Sequence, residues 1–270
     1  MNKVIINGNE STTIDIHDRG FQYGDGLFET IAYKKNKLQL ANEHFKRLRL
    51  GCERLSLTGV DESLWFDDIE KCQLKHDSII KLVVSRGVSA RGYAFGKNNI
   101  TRVTSSYPMP EYPLAYAQGI TARICTTPIS MNASLAGLKH LNRLDNVLAR
   151  NEWNDLEITE GFMLDNMSNV IEGTMSNVFG VLNNELYTPR LEQCGIAGVI
   201  RSQVIILAKK MNIVVNIVDI KRHFFLQMDA VFITNSLIGL WPVKQIGDMT
   251  FQKHLLVTQL QTELFKCLDC

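Results

Sequence analysis

Apolar positions recur along this chain with two different periods, and the points where the period changes mark its elements. Over residues 43–57, Phe45, Leu48, Cys52 and Leu55 fall three or four apart, which predicts a helix with one buried stripe. Over residues 199–211, Val204, Leu207, Ala208 and Met211 do the same, directly after the break Gly195-Ile196-Ala197-Gly198. Helices are also predicted over residues 141–153 and 254–265. Extended runs rich in β-branched residues predict strands over 3–7, 27–33, 78–86, 120–126, 160–164, 170–182, 214–220 and 230–234. The turn Lys34-Lys35-Asn36 joins the second of these to residues 37–40 as a hairpin.

Strands and helices mix in both halves, so the pattern predicts an α+β fold. Between residues 107 and 118, Pro108, Pro110 and Pro113 interrupt any period, because proline fixes φ and removes backbone donors. The predicted division is a small N-terminal α+β domain over 1–112, a linker over 113–119, and a larger C-terminal domain over 120–270.

Composition narrows the classes of function. The 270 residues are 45% hydrophobic and 21% charged, as in ordinary globular proteins, and the formal charge of +1 gives no footprint for nucleic acid or an anionic membrane. Only Val4-Ile5-Ile6 precede the turn Asn7-Gly8, too short for an export core, and no apolar run could span a bilayer. The expected location is the cytoplasm. Six scattered cysteines predict reduced thiols, not a disulfide framework. Cys267 and Cys270 form a lone C-x-x-C with no second pair, so no metal is expected.

Four places carry candidate chemistry. The helix starting after Gly198 would leave first-turn N–H groups free to bind an anion, and Gly198 has no side chain to obstruct its approach. Glu172 sits inside an extended run; it is either a solvated strand residue or a buried carboxylate able to keep a ring nitrogen protonated. Asn177 reads as a brace for the local backbone. Lys139 lies between Leu138 and His140-Leu141, and an apolar setting would desolvate its amine toward a nucleophilic state. The adjacent His140 points to the opposite face of an extended segment and reads as structural. Arg47 lies off the apolar stripe of its helix, where a solvated guanidinium and a phosphate ligand are both open readings.

These residues together resemble the fold-type IV, or class IV aminotransferase, family of pyridoxal 5'-phosphate (PLP) enzymes. The resemblance rests on Glu172, Ser176-Asn177-Val178-Phe179, Leu186-Tyr187-Thr188 and Ile196-Ala197-Gly198-Val199-Ile200-Arg201, with a lysine some thirty residues before the glutamate. It extends to His44-Phe45-Lys46-Arg47-Leu48 and to the early run from Asp18-Arg19-Gly20 through Tyr23-Gly24-Asp25-Gly26 to Glu29-Thr30. The resemblance implies a branched-chain aminotransferase-like fold, with a small N-terminal α/β sandwich and a larger C-terminal pseudo-barrel. It further implies a homodimer, Lys139 as the imine-forming lysine and Glu172 as partner of the pyridine nitrogen. Arg47, the backbone of Val199 and Ile200, and Asn235-Ser236 would hold the phosphate.

Within the family, Gly137-Leu138-Lys139-His140-Leu141-Asn142-Arg143-Leu144, and Ser85-Arg86-Gly87 followed by Arg91-Gly92-Tyr93, are similar to the lyases acting on 4-amino-4-deoxychorismate. That likeness implies release of 4-aminobenzoate and pyruvate, a step toward folate. Arg91, Tyr93 and Arg143 would then bind substrate carboxylates, and Thr30 would contact the leaving group. The alternative is a branched-chain or D-amino-acid aminotransferase with the same cofactor residues.

Overall fold

The computed structural model describes residues 3–96 and 99–269. Contacts group the chain into two units, Met1–Glu111 with Leu138–Asn142, and Tyr112–Gly137 with Arg143–Cys270.

The first unit is a six-stranded antiparallel sheet with helices. In chain order its elements are β1 (Val4–Ile6), β2 (Asn9–Glu10), α1 (Arg19–Tyr23), β3 (Gly26–Lys34), β4 (Lys37–Leu38), α2 (Ala41–Arg54), α3 (Ser63–Lys71), β5 (Ser78–Ser85) and β6 (Thr101–Pro108). The strand order is β2-β1-β6-β5-β3-β4. Alternation along β3 and β5 turns Leu27, Glu29, Ile31, Ile80, Leu82 and Val84 to a fully buried face, where Phe45, Leu48 and Cys52 of α2 are also buried. Each such Leu, Ile or Phe contributes about 1.5–3 kcal/mol. The opposite face, with Phe28, Thr30 and Lys81, is half-buried.

Five residues from far along the chain complete this sheet. β4 pairs only with Tyr33 and Lys34, which leaves the start of β3 open on that side. Phe28 donates its N–H to the Lys139 carbonyl at 2.9 Å, Leu141 donates to the Gly26 carbonyl at 3.0 Å, and Leu27 bridges His140. Sequence alone assigned residues 138–142 to the C-terminal domain; these backbone bonds group them with the first unit. They also shorten the predicted helix over 141–153, because a backbone committed to β3 cannot close helical bonds.

The second unit is built on a curled sheet. It runs β7 (Ile120–Ile124), α4 (Leu144–Arg150), β8 (Ile158–Leu164), β9 (Asn169–Gly173), β10 (Asn177–Leu182), β11 (Glu185–Pro189), α5 (Val199–Lys210), β12 (Val215–Val218), β13 (Ile220–Lys221), α6 (Arg222–Phe225), β14 (Ala230–Asn235), β15 (Gly239–Ile246), β16 (Met249–Thr250) and α7 (Leu255–Asp269), with a 3-10 turn at Leu114–Gln118. The hydrogen-bonded path is β12-β11-β10-β14-β15-β7-β8-β9-β13, with β16 beside β15. Its two end strands, β12 and β13, are joined by Asp219 alone, so the sheet must bend round on itself. That is the pseudo-barrel. Ile120, Phe162, Val170, Val178, Ile233 and Trp241, drawn from around the path, form one buried cluster with Phe225 of α6.

Two predicted strands are broken. Residues 170–182 form β9 and β10, separated by a tight turn that Gly173 closes by donating to the Ser176 carbonyl at 2.7 Å. Residues 214–220 divide at Asp219 into β12 and β13, which lie at opposite ends of the sheet. Strand β6 escaped prediction because its sequence, Thr-Arg-Val-Thr-Ser-Ser-Tyr-Pro, has no apolar alternation.

Among the described residues, no helix is long and apolar enough to cross a membrane, and no cluster of potential metal ligands occurs. Cys52, Cys72, Cys125 and Cys194 are buried free thiols, and burial pushes Cys52, Cys125 and Cys194 up to about 12. Cys267 is exposed and unbridged, and Cys270 lies outside the described residues.

Candidate active site

Of the residues singled out by sequence, Lys139, Thr30, Arg47, Arg91 and Tyr93 belong to the first unit. Glu172, Arg143, Val199, Ile200, Asn235 and Ser236 belong to the second.

In the first unit, Lys139 reaches the half-buried face of β3. Its Nζ stands 4.2 Å from the centroid of the Phe28 ring, a cation–π distance. Thr30 is two residues on along β3 and therefore on the same face as Phe28. Lys81, directly opposite Thr30 on β5, also approaches the Phe28 ring, with Nζ at 5.5 Å. Sequence reasoning passed over Lys81; only the pairing of β3 with β5 reveals that it shares a face with Thr30.

Arg47 is drawn to the buried side of β3. Its Nε donates to Glu29 Oε1 at 2.8 Å, and His44 Nδ1 bonds Glu29 Oε2 at 2.6 Å. Glu29 is 1% exposed. Burial alone would raise its carboxyl, but the charge and hydrogen bonds of Arg47, with His44, outweigh that and bring it down to about 2. An arginine so fixed is pre-oriented, since its planar fork is locked by its partner.

Arg91 and Tyr93 lie on the loop after β5. Both are exposed, and Tyr93 is 86% exposed with its ring 5.6 Å from that of Tyr23.

In the second unit, Glu172 is 2% exposed near the end of β9, which excludes the solvated reading. Its Oε2 accepts the Ile196 N–H at 2.7 Å. Two arginines place positive charge within range of it. Burial lowers the Arg143 guanidinium and the Glu172 and Asp145 charges oppose this; burial lowers Arg201 to about 10, again against Glu172. Arg143 is half-buried at the start of α4 and donates to Asn146 Oδ1 at 3.4 Å.

A second glutamate explains how Glu172 is positioned. Glu160 on β8 is fully buried, and sequence reasoning gave it no role. Its Oε1 accepts the N–H groups of Gly161 and Thr174 and the Thr174 hydroxyl at 2.6–3.0 Å. Its Oε2 accepts the Ser176 hydroxyl at 2.7 Å and the Met175 N–H at 3.3 Å. Burial pushes this carboxyl up while the five donors pull against it. The whole turn that follows Glu172 is thus built around Glu160. Gly173 is required there, because a Cβ would stand 2.4 Å from Ser176 Oγ and 2.6 Å from Glu160 Oε2.

The start of α5 presents first-turn backbone N–H groups. Gly198 is its N-cap, and the N–H groups of Val199 and Ile200 have no acceptor one turn back within the helix. Gly198 is needed for a reason other than ligand approach: a Cβ would stand 1.8 Å from Asn177 Oδ1. Asn177 Nδ2 donates to the Ile196 carbonyl at 2.8 Å, so its role as a backbone brace is direct. Thr234 is the cross-strand partner of Asn177 and shares its face of the sheet. The Thr234 hydroxyl is buried and has no hydrogen-bond partner among the described residues, beside a helix start rich in N–H donors. This donor set suits a phosphate. Asn235 Oδ1 accepts from the Leu237 and Ile238 N–H groups and its Nδ2 donates to the Met175 carbonyl, so its side chain shapes the turn that carries Ser236.

The chain is 34% identical over 245 residues to an aminodeoxychorismate lyase of Vibrio harveyi, covering 90% of each. It is 31% identical to a putative branched-chain-amino-acid aminotransferase of Methanocaldococcus jannaschii, covering 92% of each. A crystal structure of 4-amino-4-deoxychorismate lyase from Pseudomonas aeruginosa superposes with a TM-score of 0.95 at 37% identity, covering 99% of this chain and 100% of that one. The family model for amino-transferase class IV matches residues 26–246 of the 270. By that match, and by 34% identity over 90% of its length, the chain belongs to the class IV aminotransferase family.

Proposed function

We propose that this protein is a PLP-dependent lyase that converts 4-amino-4-deoxychorismate into 4-aminobenzoate and pyruvate. The observation that carries this reading is similarity to lyases of that name along essentially the full chain, at 34% and 37% identity. The site residues fit the cofactor. The N–H groups of Val199 and Ile200, with the Ser236 and Thr234 hydroxyls and the guanidinium of Arg47, would hold its phosphate. Lys139 would carry the cofactor through its amine, and the buried Glu172 would keep its ring nitrogen protonated. Bound PLP supplies an electron sink for the electron pair left when a C–H bond is broken.

The protein's own residues then move one proton and orient two carboxylates. Lys139, as a neutral amine, takes the proton from the substrate carbon that bears nitrogen. The C–O bond to the enolpyruvyl group breaks, the ring becomes aromatic, and the leaving group gains a proton on its methylene carbon to become pyruvate. Thr30 contacts that leaving group. Arg91, Tyr93, Arg143 and, from its place opposite Thr30, Lys81 are the candidates for the substrate carboxylates. A homodimer and a cytoplasmic location belong to the same reading.

The test is a product assay on 4-amino-4-deoxychorismate with Lys139→Ala as control. Equal amounts of 4-aminobenzoate and pyruvate, lost in the control, are expected. A PLP-loaded protein that makes no 4-aminobenzoate but passes an amino group to 2-oxoglutarate would be an aminotransferase instead.

A further inference from the structure

The run from Asp18 to Gly26 is part of the family likeness, yet no role in binding or chemistry follows from that likeness for most of it. Two of its side chains, Arg19 and Tyr23, bond the loop that carries Arg91 and Tyr93. Asp25 Oδ2 accepts from Arg19 Nε at 2.7 Å and from Arg86 Nε at 2.8 Å, and Oδ1 accepts from Arg86 Nη2 at 3.1 Å. Both arginines are 4% exposed. Two buried cations therefore share one carboxylate. Burial lifts that carboxyl, and the arginines more than offset the lift, leaving it below the ordinary range.

Each arginine then grips the loop. Arg19 donates to the carbonyls of Gly92 at 2.8 Å and Tyr93 at 3.2 Å, and to Ser89 Oγ at 3.3 Å. Arg86 anchors to the Leu55 and Ser56 carbonyls, and its Cζ lies 3.7 Å over the Phe95 ring. Tyr23 adds its hydroxyl as acceptor for the Gly92 N–H at 3.3 Å. The loop is thereby tied to a buried charge cluster on both sides of Arg91, through the Ser89 hydroxyl before it and the Gly92 and Tyr93 backbone after it, while Arg91 itself stays exposed.

We propose that Asp25 is a positioning residue that, through Arg19 and Arg86, holds the Val88–Gly96 loop in place to bind substrate. The inference rests on the lyase reading, in which Arg91 and Tyr93 bind the substrate carboxylates. Asp25→Asn would keep the size of the side chain but leave two buried guanidiniums facing one neutral amide, and a charge-assisted bond is strong enough for its loss to cost about tenfold or more in a bound population.

The experiment uses the full-length, PLP-loaded protein and two readouts. D25N is expected to raise the initial rate of tryptic cleavage after Arg91 by about tenfold, followed by mass spectrometry, because a released loop fits the protease. It is also expected to raise KM for 4-amino-4-deoxychorismate by about tenfold, with kcat within about threefold and the cofactor absorption band unmoved. A merely structural residue would lower stability without splitting KM from kcat. Unchanged cleavage, or faster cleavage with unchanged KM, would overturn the proposal. If D25N does not fold, R19K is judged by the same readouts, since lysine cannot reach Asp25 and both carbonyls at once. If the wild type forms no 4-aminobenzoate, the lyase reading fails, and the clamp is judged on cleavage alone.

Discussion

Replacing Glu160 by glutamine tests whether a buried carboxylate organises the turn beside Glu172. The native side chain accepts from three backbone N–H groups and two hydroxyls in a site with no solvent access. A glutamine must turn its NH2 toward one of the two groups of donors, the three on Oε1 or the two on Oε2. Facing Gly161, Thr174 N–H and the Thr174 hydroxyl, it would oppose two amides that cannot rotate. Facing Ser176 and Met175, it would oppose only the Met175 N–H, because the Ser176 hydroxyl can turn and accept. The second orientation is preferred and leaves one buried N–H unsatisfied, at about 1–3 kcal/mol. Part of that loss is offset because the neutral amide is cheaper to bury than a charged carboxylate. A net cost of about 2 kcal/mol lowers Tm by about 4–8 °C in a chain of this size. The assay is thermal unfolding of the cofactor-free protein followed by PLP titration, in which E160Q should also bind PLP more weakly. A Tm within about 1 °C of wild type, with unchanged PLP affinity, would refute the assignment.

Two further outcomes follow from the geometry. Glu29 has a folded-state value of about 2, below its unfolded value, so its stabilisation is complete above the unfolded pKa and fades as pH falls toward 2. E29Q should therefore lose about 3 kcal/mol in urea unfolding at pH 7, with the gap from wild type closing toward pH 3; a gap constant with pH would contradict the ion-pair account. Gly198→Ala would press a Cβ onto Asn177 Oδ1 and displace the brace on the Ile196 carbonyl. It should weaken PLP binding to the cofactor-free protein by about tenfold, read by absorbance titration, and an unchanged affinity would show that the cradle tolerates the shift.

Local pattern revealed much of this molecule. The stripes Phe45, Leu48, Cys52 and Val204, Leu207, Ala208 are buried on α2 and α5 as their spacing requires. The β3 to β4 hairpin turns at Lys35 and Asn36, both at positive φ. Asn177, five residues after Glu172, was legible as a backbone brace, but the carbonyl it holds, that of Ile196, is 19 positions away. The phosphate side of Gly198 was legible only in part: the helix start follows from the sequence, but the reason for glycine there is a contact with a residue 21 positions away.

What the sequence by itself determined were relations within a window, because side chains two apart on a strand or four apart on a helix share a face whatever the rest of the chain does. The family motif was legible for the same reason, as a set of fixed spacings. Only the tertiary structure decided which distant groups complete each charge. Glu29 takes Arg47 from the next helix, Glu160 takes a turn 14 to 16 residues further on, and Asp25 takes Arg86 from 61 residues away. It also decided that Lys139 is held by the open edge of β3, where backbone donors and acceptors unmet by β4 needed partners. A buried charge or an unpaired strand edge must be satisfied, but nothing in the local pattern says by which residue.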